Sequence, residues 1–216
     1  LLKEISLAKK LKTIEILGGE PLLNNQLDKI ISQGENKRVD IMSGLGVSKS
    51  RLLACLKRYE GKNINFKISA ETTGQNFEFM RYGSKWTDFC DKVKLISDHG
   101  FDIEFISTIS NLTILDFHNF YNKFNNDYKI NINFLAGRPF LLPHVLDPKS
   151  KEIFRNWIEQ QNDTNISEPL RNVTDKDIED VDKKNLLDYL TQFSDRRKLS
   201  LDFLPKNFQA WCGLIP

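Results

Sequence analysis

Short apolar runs alternate with amphipathic helical patterns along most of this 216-residue sequence. The apolar runs predict five strands, at Thr13–Leu17, Lys37–Ser43, Asn63–Ala70, Phe101–Thr108 and Tyr128–Leu135. Helical spacing predicts helices between and after them, at Leu22–Gln33, Lys49–Arg58, Trp86–His99, Ile114–Phe124 and Ser150–Gln161, and the end of a helix at Leu1–Leu11. Strands that alternate with helices pair in parallel through right-handed crossovers. The sequence therefore predicts an α/β fold with a mostly parallel sheet.

The first predicted strand ends in Gly18, Gly19, Glu20 and Pro21, and a helical pattern follows. Two adjacent glycines let the backbone turn where a side chain would clash, and they leave main-chain groups open to a ligand. Glu20 places a carboxylate at the carboxyl end of a strand, where α/β folds bind their ligands. These residues are candidates for ligand binding, and an ordinary strand–turn–helix junction is the alternative.

A second group of polar residues follows the third predicted strand. Ser69 and Glu71 are two positions apart and therefore share a face, and a hydroxyl beside a carboxylate suits hydrogen bonds to a ribose diol. Arg81 carries a planar guanidinium that matches a carboxylate. A surface salt bridge beside a capped helix is the alternative for all three. Asn133, in the fifth predicted strand, is a further candidate for lining a substrate or adenine pocket.

Both groups resemble motifs of the radical S-adenosylmethionine (SAM) enzymes. The stretch Gly18–Pro21 resembles their Gly-Gly-Glu-Pro motif, and Ser69-x-Glu71 with Arg81-x-Gly-x-x-Trp86 resembles the peptide-modifying and twitch-domain branch. The resemblance covers roughly residues 1–140. It implies a partial (β/α) barrel of the radical SAM type, with about five of its six strand–helix units in residues 1–161. Residues 162–216 are predicted to form a C-terminal helical and irregular extension, with a polar loop from Asp163 to Asp175.

The resemblance also implies a cofactor and its contacts. Gly18, Gly19, Glu20 and Pro21 are expected to receive the amino group of SAM, and Arg81 its carboxylate. Ser69, Glu71 and Asn133 are expected at the same cofactor. The parent enzyme is expected to generate a 5′-deoxyadenosyl radical that abstracts hydrogen from a substrate, which we expect to be a peptide or protein. A flavodoxin or ferredoxin is expected to donate the electron.

The family is defined by a Cys-x-x-x-Cys-x-x-Cys loop that holds a 4Fe–4S cluster. The sequence lacks this motif, and its cysteines, Cys55, Cys90 and Cys212, are too scattered to form a ligand set. The resemblance places the loop just before Leu1, and the sequence does not begin with methionine. We therefore expect the cluster ligands upstream of Leu1 and expect the chain as given to be inactive.

The composition of the chain bears on which partners it binds and on where in the cell it works. Lys and Arg number 31 against 29 Asp and Glu, so a net charge of +2 gives no overall field to attract nucleic acid or a membrane. No apolar run reaches the ~20 residues of a membrane span, and three free cysteines fit a cytoplasmic location. Two other functions stay open. One is a non-catalytic α/β scaffold or binding module that has lost the cluster, and the other is an unrelated α/β-barrel acid/base enzyme using Glu20, Glu71 and Arg81.

Overall fold

A five-stranded sheet organises residues 10–34 and 37–215, which are the residues that this computed structural model describes. Its strands lie in sequence order: β1 (Thr13–Ile16), β2 (Arg38–Ser43), β3 (Ile64–Ser69), β4 (Asp102–Ile109) and β5 (Lys129–Phe134). From β1 to β4 the neighbours pair in parallel, with Thr13 opposite Arg38 and Val39 opposite Ile64. The predicted strands are confirmed to within one residue at each end, and so is the α/β fold.

Nine α-helices follow or connect these strands within the described residues. They are α1 (Leu27–Gln33), α2 (Lys49–Arg58), α3 (Gly74–Met80), α4 (Trp86–Asp98), α5 (Asn111–Phe124), α6 (Pro148–Glu159), α7 (Thr164–Leu170), α8 (Asp180–Arg197) and α9 (Lys206–Cys212). Short 3-10 helices lie at Pro21–Leu23 and Pro139–Leu141. The prediction for α2 is confirmed at both ends. The prediction at Leu1–Leu11 falls almost entirely outside the described residues.

The sequence prediction is wrong at several short helices. The helix predicted from Leu22 begins at Leu27, because Pro21–Leu23 forms a separate 3-10 turn that ends at extended Asn24. Helix α3 is absent from the sequence prediction. The predicted polar loop contains α7, where the Asp163 side chain accepts a hydrogen bond from the Asn165 N–H and so satisfies a free helix-end donor. The predicted irregular tail contains α9, which buries Phe208 and Cys212 one helical turn apart.

The sheet presents one apolar face and one charged face along β1–β4. Ile41, Phe66 and Phe105 are fully buried on the apolar face. At alternating positions, Glu15, Arg38, Asp40, Lys67 and Glu104 form a charged ladder across the strands. Lys67 Nζ lies 2.6 Å from Glu15 Oε1 and 2.9 Å from Asp40 Oδ2. Burial alone would raise the pKa of Asp40, but hydrogen bonds from Arg38 and Lys67 outweigh it and hold that pKa below its ordinary value.

The chain divides into two compact units. The first comprises Leu1–Ala70 with Ser84–Ile106, and the second comprises Glu71–Gly83 with Ser107–Pro216. In the second unit, the Trp157 ring packs edge-on against Phe117 and Tyr121, with centroids 5.7 and 5.5 Å away. The predicted division into residues 1–161 and 162–216 stays a prediction. Within residues 10–34 and 37–215, every helix is too short or too polar to cross a bilayer.

Candidate functional site

The turn after β1 is an open part of the predicted site. Gly18 and Gly19 have φ angles of 94° and 58°, in the left-handed region that glycine adopts without steric cost. Both residues are exposed, and a Cβ atom added at either one would meet nothing within 4 Å. The turn therefore leaves main-chain groups and free space at the carboxyl end of a parallel strand.

The Glu20 carboxylate fixes this turn to the neighbouring strand. Its Oε1 accepts hydrogen bonds from the Ser43 hydroxyl at 2.7 Å and from the Leu22 N–H at 3.3 Å. Its Oε2 accepts one from the Gly46 N–H at 3.0 Å. The carboxylate thus joins the end of β1 to the end of β2 and the loop after it. Ser43 is visible in the sequence as a hydroxyl at the carboxyl end of the next strand, but its pairing with Glu20 is not.

Pro21 has a structural position beside this carboxylate. It is buried and occupies the first turn of the 3-10 helix, where a residue without an N–H breaks no hydrogen bond. The Nε of Arg51, on α2, donates to the Leu22 carbonyl at 2.8 Å. The Gly18–Pro21 turn is therefore held from both β2 and α2.

Ser69 is the last residue of β3 and is half-buried. Because β1, β2 and β3 are parallel, Ser69 and the Gly18–Pro21 turn lie at the same edge of the sheet. Glu20 follows β1 and Ser69 ends β3, so β2 lies between the two strands that carry them. The strand between them supplies Ser43, the partner of Glu20.

Glu71 and Arg81 form an ion pair in the second unit. Arg81 Nη2 lies 2.9 Å from Glu71 Oε2 and 3.3 Å from Oε1, and the guanidinium carbon lies 5.9 Å from the centroid of the Phe77 ring. Glu71 is only 6% exposed and the Arg81 side chain 21%, so the pair is partly buried, with the carboxylate as its buried member. Burial raises the pKa of Glu71, and the charge of Arg81 opposes that rise.

Asn133 lies near the end of β5, also in the second unit, and is exposed beside Phe134, which is exposed too. A cavity of about 380 Å³ in the same unit is lined by residues outside the sequence prediction, among them Glu78, Phe79, Asp202 and Phe203. None of the predicted site residues lines that cavity. The structure thus brings Gly18–Pro21 together with Ser43 and Gly46 in one unit, and Glu71 together with Arg81 in the other.

Ligands for a metal cluster are absent from residues 10–34 and 37–215, where no three His, Cys, Asp or Glu side chains are grouped to hold a metal ion. Cys55 and Cys212 are buried on α2 and α9. Burial raises the pKa of both thiols, that of Cys212 to about 11. Iron–sulfur clusters bind thiolates, so these residues do not fit a 4Fe–4S cluster. The open glycine turn, in contrast, fits a small polar ligand.

Comparison with known proteins gives a structural likeness alone, since no protein-family model and no curated protein matches the sequence. Native anSMEcpe with bound AdoMet (SAM) has a TM-score of 0.52 and 10% identity, over 73% of this chain and 48% of that one. A hexahistidine-tagged anSMEcpe with bound AdoMet has a TM-score of 0.51 and 11% identity, over 76% and 49%. Streptococcus suis SuiB bound to S-adenosylmethionine has a TM-score of 0.47 and 16% identity, over 80% and 43%.

The two anSMEcpe structures bear on the fold. They belong to radical SAM peptide-modifying enzymes, and this chain spans about half of their length. At such low identity the likeness is one of fold, and it agrees with the parallel sheet whose strands follow sequence order. This chain has the partial-barrel fold of the radical SAM enzymes.

Proposed function

We propose that this chain is part of a radical SAM enzyme and that it binds SAM. The observation that carries the proposal is the exposed turn at Gly18 and Gly19, which combines left-handed backbone with open space at the carboxyl end of β1. The fold and the bound AdoMet in anSMEcpe support it. For the first unit, we assign the Gly18 and Gly19 carbonyls to the ammonium of the cofactor's methionine part. Glu20 and Pro21 hold the turn, and Ser69 takes a ribose hydroxyl.

For the second unit, we propose that Arg81 supplies positive charge to the cofactor's carboxylate and that Glu71 orients its guanidinium. The bond of Arg81 Nη2 to both Glu71 oxygens supports an orienting role, because it restrains a long side chain. Asn133 is proposed as a further polar contact of the cofactor. Residues 1–161 and 162–216 are proposed as the barrel and its extension.

The cluster and the substrate belong to the proposal for the whole enzyme. Since the described residues do not fit a 4Fe–4S cluster, we propose that its cysteines lie outside this sequence and that a flavodoxin or ferredoxin supplies electrons there. A structure of anSMEcpe with a bound Cp18Cys peptide supports a peptide or protein as substrate. The free cysteines of the described chain support a reducing, cytoplasmic location.

The alternative functions make different use of the same residues. An acid/base enzyme needs a carboxylate that is available to a substrate proton, whereas Glu20 accepts three hydrogen bonds from the protein itself. A non-catalytic scaffold needs no SAM affinity. Measured binding of SAM therefore separates the proposal from both alternatives.

The test compares two glycine variants by calorimetric titration with SAM. Gly19→Ala adds a methyl group at the proposed ligand position. Gly61→Ala is the matched control, since Gly61 also has a left-handed φ (74°) and empty space where a Cβ would lie, but it precedes β3, at the opposite edge of the sheet. Both should lose about 1–2 kcal/mol of stability from backbone strain. Only Gly19→Ala should weaken SAM binding, and equal affinities in the two variants, or a wild type that does not bind SAM, would refute the proposal.

A further inference from the structure

We propose that Lys92, a buried lysine on α4, is a positioning residue that aims the Gly46 N–H at the Glu20 carboxylate. The Lys92 side chain lies in the first compact unit and is itself outside the predicted site. Its effect passes through a single peptide unit, the one that joins Leu45 to Gly46. Its consequence for SAM rests on the proposed function, whereas its effect on Gly46 does not.

The first observation is the backbone conformation of Leu45. This residue has a φ of 57°, in the left-handed region where a bulky side chain crowds the following carbonyl. Its side chain is only 2% exposed, so the residue is packed in place. The Leu45 N–H donates to the Ser43 hydroxyl oxygen at 2.9 Å. A strained conformation persists only where surrounding contacts hold it.

The second observation is the contact that Lys92 makes with this residue. Lys92 is 6% exposed, and its Nζ donates to the Leu45 carbonyl at 3.1 Å. The same Nζ lies 2.5 Å from Asp88 Oδ2, one turn earlier on α4, which balances the buried charge. A charged donor in buried surroundings makes a stronger hydrogen bond than a neutral one.

The two contacts act on opposite ends of one planar group. Lys92 binds the oxygen of the Leu45–Gly46 peptide, and Glu20 accepts from its N–H at 3.0 Å. Because a trans peptide is planar, its C=O and N–H point in opposite directions, and fixing one fixes the other. The peptide thus connects an ammonium to a carboxylate, and each charge polarises it in the sense that strengthens the other bond.

Removing the ammonium therefore releases the Gly46 end as well. In Lys92→Met, Leu45 is expected to relax toward negative φ and turn the Gly46 N–H away from Glu20. Lys92→Arg should preserve the bond in part, because it keeps a cationic donor. The matched control is Lys94→Met on the same helix, since Lys94 is exposed and pairs only with Asp98 among its described contacts.

Native-state hydrogen exchange of the Gly46 amide, measured by NMR without ligand, tests the inference. Lys92→Met should speed exchange at Gly46 by about tenfold or more, the effect of losing a charge-assisted hydrogen bond, and Lys94→Met should not. Adding Leu45→Gly to Lys92→Met should restore slow exchange, because glycine adopts the left-handed conformation without help. The double variant should nonetheless be the less stable protein, since it also loses the buried leucine.

A SAM titration of the same variants separates this inference from the proposed function. The affinity for SAM should fall in Lys92→Met and recover in the double variant, although the double variant is the less stable of the two proteins. If the wild type does not bind SAM while Gly46 exchange responds as described, the proposed function fails and the positioning role stands. Unchanged Gly46 exchange in Lys92→Met, or exchange that follows stability through all variants, would overturn the inference.

Discussion

The Glu20 carboxylate joins three segments: its own turn, the last residue of β2 and the loop that follows β2. Each of the three partners donates a hydrogen bond, and a carboxylate can accept hydrogen bonds with both of its oxygens. A glutamine has only one acceptor oxygen, so its amide nitrogen would face at least one donor. Glu20 therefore links the turn after β1 to residues that lie more than 20 positions later in the sequence, Ser43 and Gly46.

Glu20→Gln is therefore expected to lower the free energy of unfolding by about 1–3 kcal/mol, because at least one donor loses a charged acceptor. Urea denaturation at neutral pH measures this. The matched control is Glu60→Gln, whose side chain is exposed before β3 and which should change stability little. Equal stabilities in the two variants would show that the Glu20 contacts contribute nothing measurable.

The Glu71–Arg81 pair gives stability a dependence on pH. The pKa of Glu71 is raised above its ordinary value of 4.5, first by burial, so the folded state binds the proton more tightly than the unfolded state. The stability that this protonation contributes is fully present below about pH 4.5 and is lost as pH rises through the folded-state pKa. At neutral pH, Arg81 offsets part of that loss by pairing with the ionised carboxylate.

Arg81→Leu should consequently cost about 3–5 kcal/mol at neutral pH, where it leaves a buried charge unpaired. The loss should shrink below about pH 4.5, because Glu71 is then protonated in both states. Replacing both residues, in Glu71→Leu with Arg81→Leu, should recover most of the neutral-pH loss. Urea unfolding of the three proteins at both pH values checks this, and a pH-independent loss in the single variant would contradict it.

At the scale of elements, the backbone at the end of α8 is strained, and a single substitution should relieve that strain. Lys198 caps the helix with a φ of 52°, a position that glycine usually occupies. Lys198→Gly is expected to raise the free energy of unfolding by about 0.5–1 kcal/mol, since the relieved strain exceeds the added flexibility of the unfolded chain. Lys184→Gly, the same change at an exposed position inside α8, should lower it by about 1 kcal/mol. Thermal unfolding would show opposite shifts in melting temperature, and shifts of one sign would contradict this.

Some helices and strands could be predicted from the sequence, and others could not. Strands such as β3 are predictable because their apolar runs are local signals, and α2 because Ser48 accepts from the Arg51 N–H at its start. Helices α7 and α9 are short and depend on packing against the rest of the second unit, which a local pattern does not reveal. For the site, the glycines and Glu20 are visible in the sequence. Ser43 is visible as a polar residue at a strand end, but its pairing with Glu20 is not, and neither Gly46 nor Lys92 gives any signal, because these roles arise from contacts between distant segments.

At the scale of the whole molecule, the described residues provide no set of ligands for an iron–sulfur cluster. Anaerobic reconstitution of these 216 residues with iron and sulfide is expected to give no stoichiometric 4Fe–4S signal by electron paramagnetic resonance, because Cys55 and Cys212 are buried and their thiol pKa values are raised. Incubation with SAM and dithionite should likewise yield no 5′-deoxyadenosine.

The control for that experiment is the whole radical SAM enzyme of the proposal, with the cysteine loop that this sequence lacks. We expect it to bind a cluster and to cleave SAM. A stoichiometric cluster in the 216-residue chain would show that its own cysteines are ligands, and the assignment of the cluster to residues outside this sequence would then be wrong.

Every strand of the sheet has its sequence neighbours as its spatial neighbours. Each pairing therefore closes only the loop between two consecutive strands, which keeps the entropic cost of closure small. Each strand from β1 to β4 has as a pairing partner the strand that is synthesised next. During translation, β1 and β2 leave the ribosome before β3, and each later strand pairs with the strand synthesised just before it. The sheet order thus matches the direction of synthesis.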